Sequence, residues 1–343
     1  MLTIATQIAP DSLINPKGLP HFGHFDGIVK TLGLADFAYF DTMDKPASAW
    51  AKHFDYKQFQ FVSLVTPRYV LGIALADIAY VGSAFCYLYD IKTNTLTQLD
   101  WLKPLRFGYQ MTPSPAEGKS RIGRKGAQLS FEIVEGGWRL IIDTKNIQAD
   151  VTLHSAPLSL PMAMCSPTGY NGWTYTQKHN GLTVKGSLTV AHEPQPLNHA
   201  LAGYDFSAGY MRRDTSWRWA SINARIHEGI MGLNLAAGVN ETGATENVFW
   251  INGERHLLGS VQFEFDRHAT LGAEVWRVYS QNGQVDLQFA ARNCRSEKRN
   301  LLLLKSNFRQ FIGHFSGTIT DNQGHSYQIN NVLGLAEDHY ARW

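Results

Sequence analysis

Apolar and polar positions alternate along most of this chain in short runs broken by glycine, proline and asparagine, and sustained helical periods are rare. Gln58–Thr66 (QFQFVSLVT) opens the pattern, and Arg68–Leu75 and Ala79–Asp90 continue it. Leu96–Trp101 returns after a turn at Lys92-Thr93-Asn94-Thr95. These runs predict an antiparallel meander. The stretch Tyr69–Tyr89 is apolar enough to mimic a membrane span, but Asp77 sits near its centre. Its glycine, β-branched and aromatic content suits two buried strands folded back near Asp77. A polar loop at Pro113–Gly126 precedes three more runs, Gln128–Val134, Trp138–Asp143 and Asn146–Leu153. Gly169–Lys178 and Leu182–Ala191 flank Asn180-Gly181, the dipeptide most favoured in two-residue hairpin turns, and predict a hairpin there.

The pattern stops at His192–His199 (HEPQPLNH), which marks the best boundary between two β domains, residues 1–195 and 196–343. Ala202–Ile222 follows it. A second series of strands then runs from Ile226–Ala237 to Tyr327–Leu333, with turns at Asn252-Gly253 and Asn282-Gly283. About eight strands fall in each half, and sheets of that size protect their edges by curling or stacking. The expected fold is all-β, two successive antiparallel barrels or sandwiches with few short helices. The clearest helix candidate is Ala47–His53.

Composition sharpens this picture. The chain has 343 residues, of which 17% are charged and 12% aromatic, a profile of a large folded β protein rather than a disordered or coiled-coil one. A net charge of +2 gives no electrostatic reason to expect nucleic acid as a partner. The first residues lack the basic and apolar regions of a secretory signal. Three widely spaced cysteines, Cys86, Cys165 and Cys294, form no disulfide framework and suggest reduced thiols, hence a cytoplasmic location. No integral membrane span is expected, and the sequence does not define an oligomeric state. Gly118-Lys119-Ser120 lacks the glycine and the strand–helix context of a phosphate-binding loop. His21 and His24 lack further ligands at metal-binding spacing, so neither metal nor cofactor is expected.

Two stretches combine aromatic and charged residues beyond what a core needs. The first contains Asp205, Tyr210, Arg212, Arg213, Asp214, Trp217, Arg218 and Trp219. On a strand, Trp217 and Trp219 share one face and Arg218 takes the other. The second is the C-terminal segment with Glu337, Asp338, His339, Tyr340 and Arg342. In a structural role, Arg212 and Arg213 would pair with Asp205, Asp214, Glu337 or Asp338 and staple the two halves together. In a functional role, the same groups would converge on a pocket at the domain junction. There a carboxylic acid desolvated by Trp and Tyr rings acquires a raised pKa and donates protons.

The segments TGYNGWTYTQK (Thr168–Lys178), AGYDFSAGYMRRDTSWRWAS (Ala202–Ser221) and GLAEDHYARW (Gly334–Trp343) resemble a family known as a domain of unknown function. That family is related in fold to the lipocalin-like group containing hydroxyneurosporene synthase, a carotenoid hydratase, and AttH-type proteins. The resemblance implies two lipocalin-like β domains packed side by side. Hydratases of that type carry an Asp-His-x-Trp-Gly-like run near the junction. Asp205 and Gly209 match it here, while Phe206 and Ala208 replace the His and Trp.

The resulting expectation is a cofactor-independent hydratase, cyclase or isomerase acting on a small apolar, isoprenoid- or lipid-like molecule. Asp205, oriented by Arg212 or Arg213, would be the acid, with Glu337 and His339 as further proton-handling groups. Tyr210, Trp173, Trp217 and Trp219 would line the pocket. A non-catalytic carrier of an apolar ligand and a carbohydrate-binding or carbohydrate-acting β protein are the alternatives.

Overall fold

The computed structural model describes residues 4–105, 107–240, 243–273, 275–301 and 304–343. In chain order the elements begin with β1 (Thr6–Ile8), β2 (Gly23–Asp26), α1 (Ala49–Asp55), β3 (Tyr56–Val65), β4 (Tyr69–Asp77), β5 (Val81–Asp90) and β6 (Thr95–Pro104). Next come β7 (Tyr109–Gln110), β8 (Gly118–Arg124), β9 (Ala127–Val134), β10 (Gly137–Thr144), β11 (Ile147–His154), β12 (Met162–Thr168), β13 (Gly172–Val190) and β14 (Glu193–Pro194). The series ends with β15 (Leu201–Tyr210), β16 (Asp214–Ile226), β17 (Gly229–Ala237), β18 (Val248–Ile251), β19 (Glu254–Leu257), β20 (Val261–Glu264), β21 (Val275–Ser280), β22 (Val285–Leu301), β23 (Leu304–Thr320) and β24 (Ser326–Arg342).

The strands form two curled sheets, a near-barrel and a half-barrel. Among the described residues the first has 15 strands, with main order β6-β5-β4-β3-β15-β13-β11-β10-β9-β8-β7, and the second has nine, in the order β19-β18-β17-β16-β24-β23-β22-β21-β20. Among the described residues the named strands pair antiparallel apart from the short β1–β2 pair. The Tyr69–Tyr89 stretch is the β4–β5 hairpin, as its residue content implied. Among the described residues the one helix is α1, capped by the Ser48 side chain, which accepts a bond from the Ala51 N–H.

Alternation along the strands gives the first sheet two apolar faces. Its concave face holds Val62, Leu64, Ile73, Phe131, Trp138, Tyr204 and Phe206, plugged by Leu13, Phe25 and Phe37 from the N-terminal segment. Its convex face at β3–β5 presents Phe61, Val70, Ala74, Tyr87 and Tyr89, which pack on Trp219, Ala236, Ile312 and Leu335 of the second sheet. The concave face of the second sheet holds a separate core that includes Ile222, Leu233, Phe249, Leu287 and Phe315.

Two expectations about local structure change. Asn180-Gly181 is not a hairpin turn, because β13 runs through it as one long strand. Both of its halves pair with β15, and two residues of β13 face one of β15, which makes a β-bulge with Gly181 at φ 73°. A fold-back there would break the β15 ladder. The actual turn lies at Ala191-His192, both at positive φ, before β14 pairs back onto β13. The bulge is also where the sheets touch. The Asn180 side chain donates to Ser221 Oγ, the Gly181 N–H donates to Asn223 Oδ1, and Asn223 donates to Ser63 Oγ. Nor do the strands divide eight and eight. The polar stretch His192–His199 does not separate the sheets, since Leu201–Tyr210 completes the first one between β3 and β13. The chain crosses to the second sheet at Met211–Arg213.

Candidate functional site

Between the convex face of the first sheet and the facing side of the second lies a cavity of about 230 Å³. Period-two alternation builds it. On β24, Glu337, His339 and Ala341 face it, and on β16, Thr215, Trp217 and Trp219 do. Asp205 and Ser207 contribute from β15, Thr174 and Lys178 from β13, and Phe59 and Phe61 from β3. Ser306, Phe308 and Gln310 come from β23 and Arg295 from β22.

The cavity is a wedge. Beyond Glu337 and Trp219 the next inward residue of β24, Leu335, packs solidly against the first sheet. Toward the other end come Lys57, Ile78, Val81, Leu102, Leu304 and Lys305. The polar groups Glu337, Gln310, Asp205, Lys178 and Arg295 therefore sit at the depth where apolar packing begins.

Glu337 is buried, and Trp217 Nε1 donates to its Oε1 (2.8 Å) while Gln310 Nε2 donates to its Oε2 (2.9 Å). Burial pushes its pKa up to about 7, against the pull of those two donors and of the Lys178 charge. His339 lies against Trp217 (ring centroids 4.3 Å) and Phe308 (4.9 Å), and its Nε2 bonds Ser306 Oγ at 3.0 Å. Burial lowers its pKa to about 3, so the ring is neutral near pH 7. Its Nδ1 stands 3.9 Å from Glu337 Oε1 and has no hydrogen-bond partner among the described residues.

Across the cavity, Lys178 pairs with Asp205 and, at 3.4 Å, with Glu246. Burial favours the neutral amine, but the two carboxylates together hold Lys178 above the usual lysine value. Burial pushes Glu246 upward in turn. Asp205 also accepts a bond from Ser207 Oγ at 3.0 Å. Arg295 is buried with its guanidinium over the Phe85 ring (4.0 Å) and the Phe308 ring (5.1 Å), bonded to Asp100 (2.6 Å) and Glu297 (2.9 Å). Among the described residues no group of three or more His, Cys, Asp or Glu is placed to hold a metal ion. All three cysteines are free thiols. Among the described residues no helix is long and apolar enough to cross a membrane.

The structure brings Asp205, Glu337, His339, Trp217 and Trp219 together around this cavity. It does not bring the other four. Tyr210 and Trp173 point to the opposite side of their strands, into the concave core of the first sheet, where they pack with Phe37. Arg212 and Arg213 are exposed in the crossover segment and do not line the cavity. Carboxylates expected as their partners are also engaged by other cations. Lys178 serves Asp205, Arg342 serves Asp214 at 2.7 Å, and Arg218, Arg267 and Arg309 serve Asp338. Arg267, between β20 and β21, and Arg309, on β23, could not be foreseen because these segments meet β24 only in the fold. Lys178, Gln310 and Arg295 went unnoticed for a related reason. Lys178 ends an alternating run, Thr174-x-Thr176-x-Lys178, whose polar face was legible, but nothing in the sequence showed that this face is buried by a second sheet.

A search of curated proteins gives no significant match. Among solved structures, the chain is similar to a putative AttH protein from Nitrosomonas europaea (13% identity, TM-score 0.50, covering 83% of this chain and 91% of that one). It is similar to CghA, solved with Sch210972 (10% identity, TM-score 0.56, covering 98% and 97%). Kievitone hydratase from Nectria haematococca matches at 12% identity and TM-score 0.48 over 84% and 88%. For the AttH protein and CghA the likeness is one of fold, and for CghA it extends over both sheets. The family model described as "Domain of unknown function (DUF2804)" matches residues 5–343, so the chain belongs to that family.

Proposed function

We propose that this protein is a cofactor-independent acid–base enzyme, a hydratase, cyclase or isomerase of an apolar alkene-bearing compound, with Glu337 as its proton donor. One observation carries the reading. A carboxyl group poised near neutral pH sits at the depth of a largely apolar cleft that includes Trp and Phe side chains, beside a neutral histidine whose buried Nδ1 has no hydrogen-bond partner among the described residues. A raised pKa keeps a fraction of Glu337 protonated at pH 7, and the apolar walls exclude competing water.

In this reading the Glu337 carboxyl transfers its proton to one carbon of a double bond, leaving carboxylate and a carbocation at the other carbon. In this reading the rings of Trp217 and Trp219, which line the cavity, would stabilise the developing positive charge. The N–H groups of Trp217 and Gln310 hold the carboxylate as it forms. Water then adds to the cation and loses a proton, or a second double bond closes a ring, or an adjacent C–H gives up its proton. With Nε2 protonated and donating to Ser306, the lone pair on His339 Nδ1 accepts that proton. The proton-donor role expected for Asp205 passes to Glu337, because Asp205 already accepts bonds from Lys178 and Ser207. Support from relatives is coarse. CghA and the AttH protein share the fold, and the hydratase named above is similar at lower structural agreement.

The test is proton exchange. Purified protein is incubated in heavy water with a panel of polyenes, prenyl alcohols and aryl alkenes, and carbon-bound deuterium or added water is read by mass spectrometry. Wild type is expected to label at least one class, and Glu337→Gln to abolish the label. If no class is labelled, while a fluorescent retinoid or fatty acid binds wild type and Glu337→Gln equally, the protein is a carrier and the proposal fails.

A further inference from the structure

The wedge opens at one end of the molecule, and that end differs from the rest of the surface. Leu102 lines the cavity and is 46% exposed. Just after it in the chain, Leu105 is 60% and Phe107 71% exposed. The Leu105 N–H donates to Tyr80 O, which holds this segment beside the β4–β5 turn, whose Ile78 and Val81 also line the cavity. On the other flank α1 leads directly into β3, and Lys57, a lining residue, reaches back to Phe54 O. None of the helix residues is buried. Trp50 is 74% exposed and stacks on Phe54 at 5.5 Å.

Cations accompany these rings. Lys103 lies on the same strand end, and Lys305 lines the opening from β23. Exposed Arg212 and Arg213 occupy the crossover beside it. The nearby carboxylates are engaged: Asp214 by Arg342 and Tyr340, Asp41 by the N–H groups of Met43 and Lys45, and Asp55 by Tyr39.

We propose that this rim is a lipid-docking face through which the cleft takes its apolar ligand from the surface of an anionic bilayer. Exposed Trp, Leu and Phe beside Lys and Arg are the side chains that settle at a membrane interface, rings and alkyl groups among the acyl carbons and cations at the headgroups. Water-exposed rings around a soluble domain's cleft are otherwise a liability. The geometry adds continuity: a ligand leaving the bilayer at Leu102 would pass along the β23, β24 and β3 walls to Glu337 without crossing open solvent. The inference does not depend on chemistry at Glu337, since a carrier with the same rim would dock in the same way.

The test is flotation of the full chain with vesicles of phosphatidylcholine containing about 30% phosphatidylserine. Wild type is expected to float with these vesicles, and to float less with pure phosphatidylcholine or at high salt. Leu105→Asp with Phe107→Asp is expected to weaken partitioning roughly tenfold. The exposed Leu158→Asp, near the closed end of the wedge beside Gly253, should leave it unchanged. If the apolar rim variant is misfolded, Lys103→Glu with Lys305→Glu serves instead and is expected to remove the preference for anionic vesicles. Wild type that stays out of the vesicle fraction, or a Leu158→Asp variant that loses as much binding as the rim variants, overturns the proposal.

Discussion

Replacing Glu337 with glutamine gives a stability signal that needs no substrate. The carboxyl has a pKa of about 7 in the folded chain, against 4.5 when solvated. A raised carboxyl pKa means that the folded state holds the proton more tightly than the unfolded state. Stability is therefore unaffected by this group below pH 4.5, falls as pH rises through the window from 4.5 to 7, and stays reduced above it. At 1.4 kcal/mol per unit, the full loss is about 3 kcal/mol, an upper bound because the unfolded chain retains some structure. Glu337→Gln removes the ionisation and keeps the shape. The new amide oxygen still accepts from Trp217, and Gln310 turns its unpartnered Oε1 toward the new NH₂. Urea titrations at pH steps from 4.5 to 8.5 should show wild type and variant converging at the acid end, with the variant more stable by up to about 3 kcal/mol at the alkaline end. A constant difference across that range would refute the claim that Glu337 is a desolvated, neutral-range acid, and with it the proposed proton donor.

Lys57 makes a parallel case of opposite sign. Burial lowers its pKa to about 8 from 10.5, so its charge destabilises the fold below pH 8 and the cost fades as pH climbs to 10.5. Lys57→Met should stabilise the protein at pH 7, by at most about 3 kcal/mol, and lose that advantage above pH 10 in thermal melts. Trp217→Phe removes one of the two donors that favour the Glu337 carboxylate. The stability transition assigned to Glu337 should move to higher pH, and a shift to lower pH would contradict the assignment. At Gly232 a methyl group would stand 2.4 Å from the backbone carbon of Asn180, where β17 of the second sheet meets β13 of the first. Gly232→Ala should cost about 3 kcal/mol or more in urea denaturation, whereas Gly243→Ala at an open position would report only backbone strain at φ 78°.

Alternation made the elements legible. The β3–β6 meander, the β4–β5 fold-back and the Asn252-Gly253 and Asn282-Gly283 turns all follow from period-two patterning and turn chemistry. The same reasoning put Trp217 and Trp219 on one face and anchored the C-terminal strand, which lies between β16 and β23. It failed where a local signal met a long-range partner. Asn180-Gly181 carries the strongest turn signal, yet β15 spans both sides of it and converts the turn into a bulge. Tyr210 and Trp173 are aromatic neighbours of the site in sequence, but pleating sends them to the other face. The cation for Asp205 came from the adjacent β13 and not from the arginines a few residues away, because ladder register (Lys178 opposite Asp205) outranks proximity along the chain.

The position of β24 ties chemistry to architecture. In the hydrogen-bonded order of the second sheet it joins β16–β19 on one side to β20–β23 on the other. Amides around Glu337 and His339 should thus be among the slowest in the molecule to exchange with solvent, opening only when the whole ladder does. The proposed proton donor, seated on such a keystone, cannot drift by local fraying, and its alignment should persist until the half-barrel itself comes apart.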